Sequence, residues 1–481
     1  MPEQSAGTPR RPRRRTVLTS AAVTAAAGVP LIASAGPAAA AAGGRGRESG
    51  GGAATAQTPD RELRKLLKEI DADRIEATVR RLAAFGTRHT LSVQDDPERG
   101  IGAARDWILA EMKKYAAVSG GRMTAELQSY IQEPASRIPV ATRITNVVAT
   151  LRGSVTPDRV YVVAGHYDSR VTDVMDATSD APGADDDASG VALVMELARV
   201  MAKRRPAATI VFTAVAGEEQ GLYGSRYAAT QFKTAGVDVQ GMFTNDIIGS
   251  SRADDGTRDP YTVRLFAEGV PTSETPAQAN TRRSVGGEND SATRQLARFV
   301  SDVGDNDATG MNVRVVYRRD RYLRGGDHIP FLEQGYPAAR FTEPAEDFAH
   351  QHQDVRVEDG KQYGDLPEFC DFDYIARVTR VNGAVLWTLA QAPGTPREAR
   401  IVTSNLTNDT ELKWALGTEP DLAGYEVVWR ETTEPEWTHV IKVGLATTHT
   451  VDLSKDNVFF GVRAVNRDGK RSPVAFPMPG N

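Results

Sequence analysis

The sequence predicts an α/β domain with a mixed, mostly parallel sheet and helices on both faces, followed by a small all-β sandwich. Three observations lead there. Val160–Ala164 and Thr209–Ala216 are almost wholly apolar, as strands are when helices cover both faces. Between them, Val191, Leu193, Val194, Leu197, Val200 and Met201 recur at helical spacing, which gives a βαβ rhythm. Beyond Pro393–Pro396 the period changes to short alternating segments.

The chain of 481 residues has a formal net charge of −5 and a single cysteine, Cys370. An intramolecular disulfide is therefore excluded, and no basic tract after the N-terminus favours nucleic acid. Arg13-Arg14-Arg15-Thr16-Val17-Leu18 and the Ala-rich apolar run after it predict a twin-arginine export signal over residues 1–42. The protein is thus expected to be secreted, with no membrane segment in the mature form. Residues 43–59, rich in Gly, Ala, Ser and Thr, predict a flexible linker.

Residues 60–392 predict the α/β domain. Helices are expected at 61–70, where Leu63, Leu66, Leu67 and Ile70 share a face, at 75–82, and at 101–115. Asp71 and Asp73 are candidate caps. Strands are expected at 123–131 and 145–151, then at 160–164 and 209–216, with a further core strand at 241–248. The polar stretch 254–312 shows one helix, 292–303. Strands at 313–317 and 338–341 and a long helix at 375–389 complete the domain. Residues 397–481 predict the sandwich. There Trp414, Tyr425-Glu426-Val427 and Val462–Asn466 resemble a fibronectin type III module, although Val458 stands where such modules usually carry a Tyr.

Charge gathers where the apolar runs stop. Gly165-His166-Tyr167-Asp168 ends one strand, Pro182-Gly183-Ala184-Asp185-Asp186-Asp187-Ala188-Ser189-Gly190 leads into the helix, and Gly217-Glu218-Glu219 ends the next strand. Asp246 closes a third, and an acidic loop carries His350, His352 and Asp354. Loops at the carboxyl ends of strands converge on one crevice, so a His, several Asp and a Glu pair brought there have the chemistry of a metal site.

In this order the motifs resemble the family of two-zinc exopeptidases typified by secreted bacterial leucine aminopeptidases. The resemblance spans about residues 61–391. It implies that His166 and Asp246 bind one zinc, that Glu219 and His350 bind the other, and that Asp186 bridges them. His350 is favoured over His352 by its spacing to Asp354. Glu218 is implied as the general base acting on a water shared by the two ions. Asp168 is expected to accept the second imidazole N–H of His166, and Asp354 to hold its loop.

One departure concerns substrate. Some relatives place a Tyr before the last His ligand, where Ala349 stands here, which leaves the oxyanion to the metals or to a group such as Tyr322 or Arg324. The expected activity is removal of N-terminal, apolar residues from peptide substrates by a monomer carrying two zinc ions. A zinc carboxypeptidase, a one-zinc cyclising acyltransferase and a non-catalytic binding protein are the alternatives. His328 and His89 are expected to be structural.

Overall fold

The computed structural model describes residues 51–480. The expected leader and the first part of the linker lie outside the described residues. In chain order the elements are β1 (Gly52–Ala53), α1 (Arg61–Lys68), α2 (Ala72–Ala83), α3 (Gly100–Ala117), β2 (Met123–Gln132), β3 (Thr142–Leu151) and β4 (Thr156–His166). They continue with α4 (Ser189–Met201), β5 (Ala208–Val215), α5 (Tyr223–Thr234), β6 (Asp238–Asn245), β7 (Thr262–Phe266), α6 (Pro276–Ser284) and α7 (Ala292–Gly304). Next come β8 (Asn312–Val316), α8 (His328–Glu333), β9 (Ala338–Thr342), a hairpin of β10 (Arg356–Glu358) and β11 (Lys361–Tyr363), and α9 (Phe372–Gln391). The C-terminal strands are β12 (Arg400–Val402), β13 (Thr410–Lys413), β14 (Leu422–Glu431), β15 (His439–Gly444), β16 (Thr448–Val451), β17 (Val458–Asn466) and β18 (Met478–Gly480).

The main sheet has eight strands in the order β2-β3-β5-β4-β6-β9-β7-β8. Its centre, β5-β4-β6-β9, is parallel, while β2, β3 and β7 join antiparallel. β5 is buried along its whole length, as its unbroken apolar run requires. Helices α4 and α9, fully buried at Leu193, Leu197, Val385 and Trp387, pack on one face with α1 and α2 outside them. On the opposite face, α5 and α8 bury Ala228, Ala229, Phe331 and Leu332 against Val162, Val211 and Met242. Asp60 and Asp71 cap α1 and α2, accepting from Leu63 N and Asp73 N.

The seven C-terminal strands, joined by β1, form two four-stranded sheets, β1-β15-β14-β17 and β16-β13-β12-β18, around Leu412, Trp414, Val427, Phe460 and Val462. The linker expectation fails at its C-terminal end. Gly52 and Ala53 pair antiparallel with Val440 and His439, and Gln57 bonds Asp302 while its side chain accepts from Arg471 N. The sandwich is also joined to the α/β domain through Asp290. That buried carboxylate receives Arg298 Nη1 at 2.8 Å from its own domain and Arg430 Nη2 at 2.8 Å from the sandwich. Composition identified a tract without apolar period, but pairing to a sheet edge uses only backbone groups and leaves no such signature. Among the described residues no helix is long and apolar enough to cross a membrane.

Candidate metal centre

Four parallel strands aim their carboxyl ends at one crevice. His166 is the last residue of β4, Glu218 and Glu219 follow β5, and Asp246 follows β6. Asp186 comes from the bend between β4 and α4, after Gly183 at φ 49° and at a cis Asp186–Asp187 peptide. Asp365 fixes that bend by accepting Asp185 N at 2.7 Å and Asp186 N at 2.8 Å. Asp187 takes His166 N and Gly190 N, each at 2.9 Å. Gly190 has no alternative, because a Cβ there would lie 2.0 Å from Asn245 O.

Two donor groups share Asp186. On one side His166 Nε2 is 3.0 Å from Asp186 Oδ1 and 3.9 Å from Asp246 Oδ1. On the other, His352 Nε2 is 2.7 Å from Asp186 Oδ2 and 2.9 Å from Glu219 Oε1. Within each group the donor atoms lie within 4.8 Å of one another. Arg340 Nη2 backs Asp246 at 2.8 Å. Burial pushes the Glu218 carboxyl well above the usual range; His166 pulls it back, and Asp246, Glu219 and Asp327 raise it further.

The sequence expectation needs correction at His350. Its Nδ1 lies 3.0 Å from Asp347 Oδ2 and its ring stacks on Phe369 with centroids 3.5 Å apart, so it faces away from the cluster. His352 takes that place because its backbone is left-handed, φ 53°, and turns the ring inward. A signal for this was present: His352-x-Asp354 repeats the spacing of His166-x-Asp168. With His352 in the cluster, the residue before it is Gln351 and not Ala349. One end of the buried Gln351 carboxamide is 3.4 Å from Asp186 Oδ2. In the orientation that satisfies both ends, it donates to Glu346 Oε2 and accepts from Arg324 Nη2, each at 3.1 Å.

Asp168 also works differently from expectation. Its backbone carbonyl, not its carboxylate, receives His166 Nδ1 at 3.0 Å, the carboxylate being 3.6 Å away. The carboxylate instead accepts Glu218 N at 3.3 Å, Glu219 N at 3.1 Å and Thr90 Oγ1 at 3.0 Å. It therefore holds the backbone of the Glu pair. Asp354 Oδ1 accepts Thr172 N at 3.2 Å, tying its loop to the one after β4. His328 gives Nε2 to Arg319 O at 2.8 Å, and His89 lies 2.9 Å from Val174 O; neither joins the cluster.

Sequence reasoning missed Arg88, whose buried guanidinium bonds the carbonyls of Tyr167 and Gly183 at 2.7 and 2.8 Å and so braces the Asp186 loop. Burial lowers its pKa to about 10.

Two imidazoles and three carboxylates without thiolate are a donor set that zinc accepts. Asp186, Glu218, Glu219 and Asp246 crowd together with Arg340 and, 3.7 Å from Glu219, Arg170 as neighbouring cations. Like charges packed this closely repel unless cations intervene, and the residues fit such ions.

A family profile described as peptidase family M28 matches residues 146–358. A probable zinc metalloprotease of Leptosphaeria maculans is 58% identical over 422 residues, covering 88% of this chain and 98% of the relative. One of Pyricularia oryzae is 59% identical over 432 residues, covering 89% and 86%. These relatives are fungal, whereas the motifs were likened to bacterial enzymes. Among solved structures, the Legionella pneumophila LapA aminopeptidase is 18% identical with a TM-score of 0.49, covering 70% of this chain and 76% of that one. A glutaminyl cyclase of Fimbriiglobus ruber is 20% identical with a TM-score of 0.45, covering 69% and 97%. Likenesses at that distance carry no weight for the reaction.

Proposed function

The chain belongs to peptidase family M28 and is a zinc metallopeptidase, and from that premise we propose that it is a secreted two-zinc exopeptidase that removes N-terminal residues from peptides. The observation that carries this reading is Asp186, whose two oxygens face separate His and carboxylate groups 3.0 and 2.7 Å away. His166 and Asp246 would hold one ion, Glu219 and His352 the other, with Asp186 between them. Bound zinc supplies Lewis acidity, polarising the scissile carbonyl and lowering the pKa of a water. Glu218 takes the proton of the attacking water on its carboxylate and passes it to the leaving amine nitrogen. Asp168 keeps Glu218 and Glu219 aimed apart by fixing both backbone N–H groups.

Export by a twin-arginine signal and a monomeric state belong to the same proposal, as does the fibronectin type III resemblance of the sandwich. The test is hydrolysis of peptides blocked at one end or the other, with metal counted in the same sample. Loss of turnover on N-terminal acetylation supports the reading. Cleavage that instead requires a free C-terminus turns it to a carboxypeptidase, and one zinc per chain with cyclising activity turns it to an acyltransferase.

A further inference from the structure

Beside the metal centre, the loop before α8 and the loop after β9 meet in a cluster with more arginine than carboxylate. Three guanidinium groups face the buried Glu346: Arg324 Nη1 at 2.7 Å, Arg264 Nη2 at 3.4 Å and Arg321 Nη1 at 3.5 Å. Asp320 is shared between Arg321 Nε at 3.2 Å and Arg340 Nη1 at 3.6 Å. Two carboxylates thus serve four arginines, and the other partner of Arg340 is Asp246 in the metal centre. Glu343 does not redress the balance, because burial and the facing Asp185 push its carboxyl well above the usual range.

The surplus is directed. The Arg321 side chain is only 9% exposed, and its Nη1 has no partner nearer than Glu346 at 3.5 Å. Arg324 is 35% exposed, so a ligand can reach it. Gln351 lies between the cluster and the centre: the end of its carboxamide that meets Arg324 is also the one 3.4 Å from Asp186, and the other end meets Glu346. Tyr322 and Leu323, beside Arg324, are open to solvent. A planar guanidinium with free N–H groups, held partly out of water, selects a carboxylate.

We infer that Arg324, with Arg321 positioned behind it, forms a substrate subsite for a carboxylate close to the scissile bond. This deepens the peptidase reading and rests on it. The carboxylate has two sources in a peptide: an acidic side chain on the residue removed, or the free α-carboxylate of a very short substrate.

The experiment measures kcat/KM of the zinc-loaded full chain on matched pairs. One pair is the Glu and Gln anilides, and the other is a dipeptide with a free or an amidated C-terminus. The carboxylate member of one pair should be preferred about tenfold or more, and which pair responds names the source. In Arg324→Ala that ratio should fall to near one, and Arg324→Lys should restore part of it. The alanine variant strands no charge, since Arg264 and Arg321 stay on Glu346. Ratios near one in both wild-type pairs overturn the inference, as does an equal loss on both members in the variant, the mark of an oxyanion role. Should no peptide be cleaved by zinc-loaded protein, the peptidase reading fails separately. The subsite is then read by calorimetric titration of glutamate against glutamine. Tighter glutamate binding that disappears in Arg324→Ala sustains it, and equal or absent binding of both overturns it.

Discussion

His352→Ala against His350→Ala is the sharpest test of the centre. His352 Nε2 touches Asp186 at 2.7 Å and Glu219 at 2.9 Å, so its loss leaves one metal position with carboxylates alone. Structural zinc binding of about 10–16 kcal/mol over four ligands corresponds to roughly 3 kcal/mol for each. Affinity at that position should therefore fall about a hundredfold, since 1.4 kcal/mol is a factor of ten. His350→Ala removes a bond to Asp347 and the stack on Phe369, a stability loss of about 1–2 kcal/mol with no change in metal. Both proteins are dialysed against buffered zinc, gel-filtered and analysed by plasma emission, with turnover measured on the same samples. His352→Ala should lose zinc and nearly all activity, while His350→Ala keeps both. Zinc lost from the His350 variant and retained by the His352 variant would refute the assignment.

Glu218→Gln should retain wild-type zinc but lower kcat by about 10²–10⁴, as steady-state assays would reveal; near-normal rates would remove the general-base role. Asp168→Asn disturbs the acceptor for both Glu N–H groups and should cost about 10–100-fold in activity or metal affinity, read by activity and zinc titration. Asp290→Ala strands Arg298 and Arg430, and urea denaturation should show a loss of about 3–5 kcal/mol. Burial raises the Glu346 carboxyl, but Arg321 and Arg324 outweigh it and hold the group below its usual range. A carboxylate depressed in the folded state stabilises above its unfolded pKa of about 4.3, and that contribution is lost as pH falls. The stability gap between wild type and Glu346→Gln should thus be full at pH 7 and close below about pH 4, and a pH-independent gap would contradict it.

The strands β4, β5 and β6 were legible because burial on both faces leaves a run of apolar residues that little else produces. The polar groups ending those strands were legible for the same reason, and His166, Asp186, Glu219 and Asp246 do meet in one crevice. What failed was information held in loops. Two histidines two residues apart have the same composition signal, and a single left-handed φ decided between them. Helix α6, in the stretch 254–312, was missed because it is polar on nearly all sides and its one buried residue is Arg282, although Thr275 and Gln278 form a capping box at its start; strand β7 is only five residues long. Helix α8 is only six residues long, too short for a period to declare itself.

Strand β1 belongs to a sheet whose other members lie almost four hundred residues downstream. During synthesis β1 therefore waits, unpaired, until β15 has emerged and folded. Removing either β1 or β15 leaves the backbone of the other unpaired along that edge.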